Sequence, residues 1–150
     1  MNSPTFWLFL TMAFIAGALM PIQAGINSLL ARELSSTLAA ASISFCVGTL
    51  ALLAIMLLQR ESLHLAGLKH LHWWHWAGGL MGAFFVFTAA FAAPRTGALL
   101  FMALVLAGQL SMALLLDHQG WLGFREAPLS TGKLLGLGCI IAGVWLIRRG

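Results

Sequence analysis

The sequence predicts an all-α integral membrane protein with five transmembrane helices per chain. Hydrophobic residues make up 61% of the 150 residues and charged residues only 8%, with a mean hydropathy of +0.95. A soluble domain carries about 25% charged residues, so this chain has too few to keep its apolar surface in water. Five apolar runs of membrane-spanning length follow one another, and the charged residues lie between them or near their ends.

The five runs are continuous rather than alternating, which is typical of helices and not of barrel strands. Each is about 17–25 residues long, and a helix needs roughly 20 residues to cross the hydrocarbon core. Helices also satisfy the peptide groups, for which lipid offers no partner. We therefore predict a single transmembrane domain over 1–150, with spans at about 6–30, 37–58, 73–93, 97–116 and 131–147.

The first span carries two amide side chains, Gln23 and Asn27, which are four residues apart and share one helix face. Pro21 precedes them and frees a backbone carbonyl, which is typical of a kinked helix that lines a cavity. The alternative is that the two amides only hold helices together. The run has no basic leader and is too long for a signal peptide, so we expect it to be retained.

The second span carries small hydroxyl residues in its first half. Ser44 lies between Ser42 and Thr49, and such residues are typical of tight helix packing in membranes. The competing interpretation is that Ser44 contacts a solute, because polar groups inside spans are candidates for function.

The third span opens at the aromatic segment 72–76, whose amphipathic rings are typical of the headgroup level. We expect Pro94 to end the span, because proline cannot continue the hydrogen-bond ladder, and Thr96 to cap the next helix. Arg95 then lies at the negative end of the helix dipole. This structural role competes with a second one, in which Arg95 is a gate or an anion contact at a cavity mouth.

The fourth span carries one amide, Gln109, near its middle, and we expect it to face the interior rather than lipid. The span ends at Asp117 and His118, where an anion is unfavourable for the helix dipole. We expect a compensating partner, either His118 or a basic residue, with proton transfer as the alternative. No acidic residue lies deep in any span, which favours hydrogen bonding to a neutral or zwitterionic solute over pairing with a cation.

The fifth span is nearly free of polar side chains and is rich in glycine. Small residues let two helix backbones approach closely, so we expect a packing helix, with the dimer contact as a candidate location. The residues of this predicted packing surface are Gly132, Gly136, Gly138 and Gly143.

Signals for metal binding or catalysis are weak. Four histidines crowd one loop, but no Cys or acid joins them at ligand spacing; they are His64, His70, His72 and His75. The two cysteines, Cys46 and Cys139, lie inside separate spans. We expect no metal, no cofactor, no disulfide and no enzymatic activity. The basic residues are scattered along the membrane edges, which does not indicate binding to nucleic acid.

The eight Lys and Arg residues divide evenly between the two membrane sides when the chain is threaded through five spans. One side carries Arg60, Lys69, Arg125 and Lys133, and the other carries Arg32, Arg95, Arg148 and Arg149. An excess of these residues in short cytoplasmic loops orients a membrane protein, and here there is no excess. We expect the chain to insert in both orientations and to pair with an inverted copy of itself.

Several motifs carry a family resemblance. The segments GALMPIQAGINSLL at 17–30 and ASISFCVGTL at 41–50 resemble the YdcZ-like family of small bacterial membrane proteins. Shorter matches are Gly78-Gly79, Pro94-Arg95-Thr96-Gly97, Ala107-Gly108-Gln109 and Leu116-Asp117-His118. The family is placed in the drug/metabolite transporter superfamily. The resemblance therefore implies a ten-helix antiparallel homodimer with a transport role in the bacterial inner membrane, and some members pair instead with an oppositely oriented homologue.

Our leading hypothesis is a secondary transporter that moves a small polar or amphipathic solute by alternating access in a dual-topology dimer. The predicted solute contacts are Gln23, Asn27, Ser44 and Gln109, and the predicted gate or mouth residues are Arg95, Asp117 and His118. The expected partners are the inverted copy, the lipid bilayer and the solute. The alternative is a non-transporting or channel-like assembly module whose intramembrane amides only pack helices.

Overall fold

A computed structural model describes residues 4–61 and 70–150, and five long helices dominate them. The helices are α1 (Pro4–Glu33), α2 (Thr37–Gln59), α3 (Ala77–Thr96), α4 (Ala98–Gln119) and α5 (Thr131–Arg149). Each is long and apolar enough to cross a membrane, with the Trp73–Trp76 turn extending the span of α3. The prediction of five helical spans is confirmed, including the short last one.

The chain divides into two compact units, Met1–Arg95 and Thr96–Gly150. In the first unit α1 packs against α2, and in the second α4 packs against α5. The predictions of a single domain over 1–150 and of a ten-helix dimer remain predictions.

Small side chains fill the contacts of the first unit. Its buried residues are Ala24 and Asn27 on α1, Ala40 and Ala41 on α2, and Val86, Ala89, Ala90 and Ala93 on α3. Alanine lets helix backbones approach closely, which is how helices associate where no hydrophobic force drives them together. Most large apolar side chains instead point outward, as Phe14 does with 78% of its surface exposed. They suit a surrounding of lipid or of a second membrane chain.

The turn between α1 and α2 satisfies the backbone at both helix ends. The Ser36 N–H donates to Ala31 O at 3.0 Å, and the Ser35 N–H donates to Arg32 O at 3.2 Å. This is the paired bonding of a Schellman cap, with Ser35 in the left-handed region at φ +50°. The Ser36 hydroxyl then accepts from the Ala39 N–H at 3.1 Å and caps α2.

Pro94 does not end the third helix, contrary to the sequence prediction, because α3 continues to Thr96. Proline removes one backbone donor, so only the Ala90 carbonyl loses its helical partner, and the remaining bonds can carry the helix onward. The Arg95 guanidinium donates to Phe91 O in the same turn and lies 3.8 Å from the centroid of the Phe91 ring. A cation at this end also suits the helix dipole.

Thr96 is not the cap of α4, because Gly97 takes that position without a side-chain hydrogen bond. Gly97 has φ +85° and ψ 142°, a conformation that is strained for any residue with a Cβ. The chain therefore passes from α3 to α4 through a single non-helical residue. At the other end α4 is longer than predicted, and it places Asp117 and His118 in its last turn before Gly120 at φ +63°.

Replacing Gly97 by alanine is expected to lower the free energy of unfolding by about 1–3 kcal/mol. A residue with a Cβ is strained in this backbone conformation, although no atom lies within 4 Å of the added Cβ. The measurement is unfolding of the purified protein in mixed micelles. Gly78→Ala is the matched control, since Gly78 is helical and its added Cβ would meet no atom within 4 Å. Equal stability of the two variants would contradict the attribution of backbone strain to position 97.

Candidate functional site

A largely apolar cavity that presents three polar side chains lies on the first unit where α1 faces α2. It has a volume of about 450 Å³, within the range of small-molecule pockets. Its lining residues are Ala16, Leu19, Met20, Ile22, Gln23, Ile26, Asn27 and Ser44. Gln23 and Asn27 therefore border the same space, as their four-residue spacing predicts, and Ser44 of α2 joins them.

A second cavity of about 210 Å³ shares Gln23 and Ser44 with the first and adds residues from α3. Its other lining residues are Phe45, Gly48, Thr49, Leu52 and Val86. Because two polar residues border both spaces, the cavities adjoin, and we call them together the amide cavity. Neither lining includes a charged side chain.

The polar groups of the amide cavity differ in exposure. Asn27 is only 4% exposed, whereas Gln23 is exposed and Ser44 is half-buried. In the described part of the chain, the Ser42 hydroxyl donates to Leu38 O at 2.9 Å, but no hydrogen bond occupies Ser44 or the two amides. An amide inside a membrane span needs a partner, because leaving it unbonded costs about 1–3 kcal/mol. These polar groups can therefore form hydrogen bonds with water, a solute or a second chain.

Phe45 forms one wall of the amide cavity and limits how closely α3 approaches. A Cβ added to Gly82 would lie 3.3 Å from Cζ of Phe45, which is tighter than ordinary contact. The absence of a side chain at Gly82 therefore provides the space that the ring occupies.

The remaining predicted contacts lie elsewhere. Gln109 is exposed on α4, in the second unit, so its place beside the amide cavity remains a prediction. Arg95 is exposed, and its guanidinium bonds within its own helix. A gate role for Arg95 remains a prediction.

Asp117 borders a different space, a groove of about 300 Å³ within the second unit. We call it the α4–α5 groove; it is lined by Leu110, Ala113, Leu114, Asp117, Lys133, Gly136, Leu137 and Ile140. Nδ1 of the neighbouring His118 is buried and has no hydrogen-bond partner among the described residues. The predicted pairing of Asp117 with His118, and the mouth role of both, remain predictions.

The glycines of α5 face open space within the chain. An added Cβ would meet no described atom within 4 Å at Gly132, Gly136, Gly138 or Gly143. No residue of α5 is buried. The packing role of these glycines remains a prediction.

The aromatic segment before α3 forms a stacked group rather than a recognisable metal site. The rings of His72 and Trp74 stack with centroids 4.3 Å apart, and the His72 N–H donates to Nδ1 of His75 at 3.0 Å. Within 4–61 and 70–150, no three His, Cys, Asp or Glu side chains could hold a metal ion. His64 and Lys69 lie outside the described residues. Cys46 and Cys139 are free and exposed.

Sequence reasoning did not select three residues that the structure brings to these spaces. Thr49 and Val86 line the amide cavity, and Lys133 lines the α4–α5 groove. Helical spacing could have found Lys133, which begins an i, i+3, i+4, i+7 stripe on α5, but not Thr49, because a residue five positions after Ser44 lies on a different face of the helix. Val86 could not be found in this way, because its position depends on how α3 packs.

Five apolar helices of membrane-spanning length define a small multi-pass membrane protein, and its first unit has a cavity with polar but uncharged side chains in its lining. A family model described as "Putative inner membrane exporter, YdcZ" matches residues 8–146, and the chain belongs to this family. It is 29% identical over 150 aligned positions to the inner membrane protein YdcZ of Escherichia coli (strain K12), covering 93% of this chain and 95% of that protein.

No solved structure gives a significant match. The family resemblance and the inner-membrane location predicted from the sequence are both confirmed. The description of the family is that of an exporter and not of an enzyme.

Gly82→Ala is expected to be less stable than Gly79→Ala by about 1 kcal/mol, because only the first crowds the Phe45 ring. The two sites share one helix, and an added Cβ at Gly79 would meet no atom within 4 Å. Unfolding in mixed micelles measures the difference. Combining each variant with Phe45→Leu should abolish it, and a difference that persists would mean that the ring is not the obstacle.

Proposed function

We propose that the chain is a secondary transporter for a small, uncharged or zwitterionic solute that is polar or amphipathic. The observation that supports this proposal most directly is the amide cavity. It presents Gln23, Asn27 and Ser44 without a charged residue in its lining. Membership of a family described as an inner membrane exporter supports the transport role.

The proposed solute is held by hydrogen bonds rather than by ion pairing. An amide both donates and accepts, and a hydroxyl does the same, so the three residues match a solute that carries several hydroxyl, amide or paired charged groups. Each such bond contributes about 0.5–1.5 kcal/mol net. The apolar remainder of the lining, such as Leu19 and Ile26, suits an amphipathic molecule.

The proposed working unit is an antiparallel dimer. One chain supplies a cavity open on one face, and an inverted copy supplies a second set of Gln23, Asn27 and Ser44. Many transporters place their site at the junction of two inverted halves. Alternating access then exchanges two equivalent states, because turning an antiparallel pair over returns the same assembly. In this proposal Gln109 adds a contact from α4, and Arg95 lies nearer a mouth.

Transport tests the site directly. A thermal-shift screen of neutral and zwitterionic metabolites would identify a solute, and counterflow of that solute in proteoliposomes would measure its flux. Asn27→Ala and Ser44→Ala are each expected to weaken apparent affinity by about 2- to 10-fold, the equivalent of one neutral hydrogen bond. Unfolding of each variant in the same detergent reports whether the fold is kept.

Ser42→Ala is the matched control, because Ser42 lies on the same helix but its hydroxyl bonds to Leu38 O and lines neither part of the amide cavity. It is expected to transport like the wild type. If Asn27→Ala and Ser44→Ala also keep wild-type flux while remaining folded, the polar residues only pack helices and the assembly-module alternative is favoured.

Dual topology has its own test in C-terminal reporter fusions. The wild type should give signals from both a periplasmic and a cytoplasmic reporter. Replacing Arg148 and Arg149 by glutamine leaves four basic residues against two, so the C-terminus should move to the periplasm. Replacing Arg60 and Arg125 by glutamine should move it to the cytoplasm.

Glu61→Gln is the control for orientation, because acidic residues contribute little to the positive-inside rule. It should leave both reporter signals unchanged. A wild-type signal from one side only would refute dual topology and would point to a homologue as the inverted partner.

A further inference from the structure

We propose that the α4–α5 groove is a binding site for an aminophospholipid, a lipid whose headgroup carries a phosphate and a primary ammonium. The acyl chain would lie along the apolar part of the groove, and the headgroup would meet Asp117 and Lys133. The proposal does not depend on transport by the amide cavity.

The groove is built from two matching stripes. On α4 it runs from Leu110 to Asp117, and on α5 from Lys133 to Ile140, eight residues in each case. The two helices are joined by a loop and pack against each other, so they run antiparallel. At about 1.5 Å per residue the groove is roughly 10 Å long. Both charged residues therefore lie at one end of the groove, and the rest of its lining is apolar.

Both charges lie at the helix ends that disfavour them. Asp117 is in the last turn of α4, where the dipole is negative, and Lys133 is in the first turn of α5, where it is positive. Each placement opposes a dipole effect of about 0.3–1 kcal/mol. Helix stability therefore does not explain the pair, and exchanging the two residues would suit the helices better.

One loop residue, Ala127, bonds to the backbone carbonyl of Asp117 and to the side chain of Lys133. The Ala127 N–H donates to Asp117 O at 2.7 Å, and the Lys133 ammonium donates to Ala127 O at 3.0 Å. The same ammonium donates to Pro128 O at 3.1 Å. Lysine has three N–H donors, so one is left for a ligand. The groove thus presents a positioned donor beside a carboxylate.

The surroundings place this end at the depth of lipid headgroups. Trp121 and Phe124 follow α4 and are 59% and 55% exposed, respectively, and aromatic side chains collect at the membrane interface. A soluble zwitterion could contact the two charged residues but would leave the apolar part of the groove unfilled. A phospholipid uses both.

Charge complementarity selects the headgroup. A phosphate suits the free donor of Lys133, and a primary ammonium suits the carboxylate of Asp117. A choline headgroup has no N–H to donate to Asp117. An anionic glycerol headgroup brings no cation for Asp117 and adds a like charge near it. The geometry therefore favours an ethanolamine headgroup over both.

The test compares three lipids with the same acyl chains on the full-length protein in detergent. Dioleoyl phosphatidylethanolamine should raise Tm by roughly 5 °C at saturation, and the matching phosphatidylcholine and phosphatidylglycerol should raise it clearly less. Native mass spectrometry should retain one phosphatidylethanolamine per chain. Equal effects of all three lipids, or the largest effect from phosphatidylglycerol, would overturn the proposal.

Variants test which residues give the preference for an ethanolamine headgroup. Asp117→Asn keeps the backbone contact to Ala127 and should abolish the preference for ethanolamine over choline. Glu126→Gln is the matched control, because it neutralises an acid of the same loop that does not line the groove, and it should keep the preference. Lys133→Arg retains the positive charge and should also keep it.

The remaining outcomes also decide the matter. If Asp117→Asn retains the wild-type preference, the headgroup does not meet Asp117 and the proposal fails. If no lipid changes Tm but Tm rises with protein concentration, a second copy of the chain occupies the groove and the lipid assignment fails.

Discussion

Hydrocarbon offers no hydrogen-bond partner to a peptide group, and this constraint decides how each part of the described chain is built. All five spans keep their backbone groups inside a helix, and the turn after α1 finishes the exposed ends with paired caps at Ser35 and Ser36. Near the end of α3, the Arg95 side chain adds a hydrogen bond to a backbone carbonyl, that of Phe91. The side-chain amide of Asn27 differs from these groups, because it has no hydrogen bond within the described residues and completes no helix end.

The number and approximate position of the helices follow from the sequence, because a run of about 20 apolar residues has few other solutions in a protein this hydrophobic. The helix ends do not follow so simply. The sequence predicts that Pro94 stops α3, but a proline this close to a helix end removes a single backbone bond, and the remaining bonds carry the helix to Thr96. The capping position of α4 went to Gly97 rather than Thr96, because the backbone there takes a conformation that only glycine tolerates.

The candidate site, like the helices, follows from the sequence only in part. The shared face of Gln23 and Asn27 follows from their spacing, and the structure places both beside one cavity. That Ser44, Phe45 and Val86 line it depends on helix packing, which the periodicity of a single sequence does not encode. The α4–α5 groove was more accessible to prediction. Its two stripes are visible in the sequence, but their meeting requires the antiparallel pairing of two helices.

The double contact of Ala127 has a practical consequence for anyone who modifies this protein. A loop at a membrane surface is the usual place to insert an epitope tag or a cleavage sequence, and the segment between Gly120 and Ser130 looks suitable by length. Ala127 joins that loop to the end of α4 and the start of α5, so an insertion beside it would pull on both helices. The C-terminus after Arg149, which lies outside any such connection, is the better place for a tag.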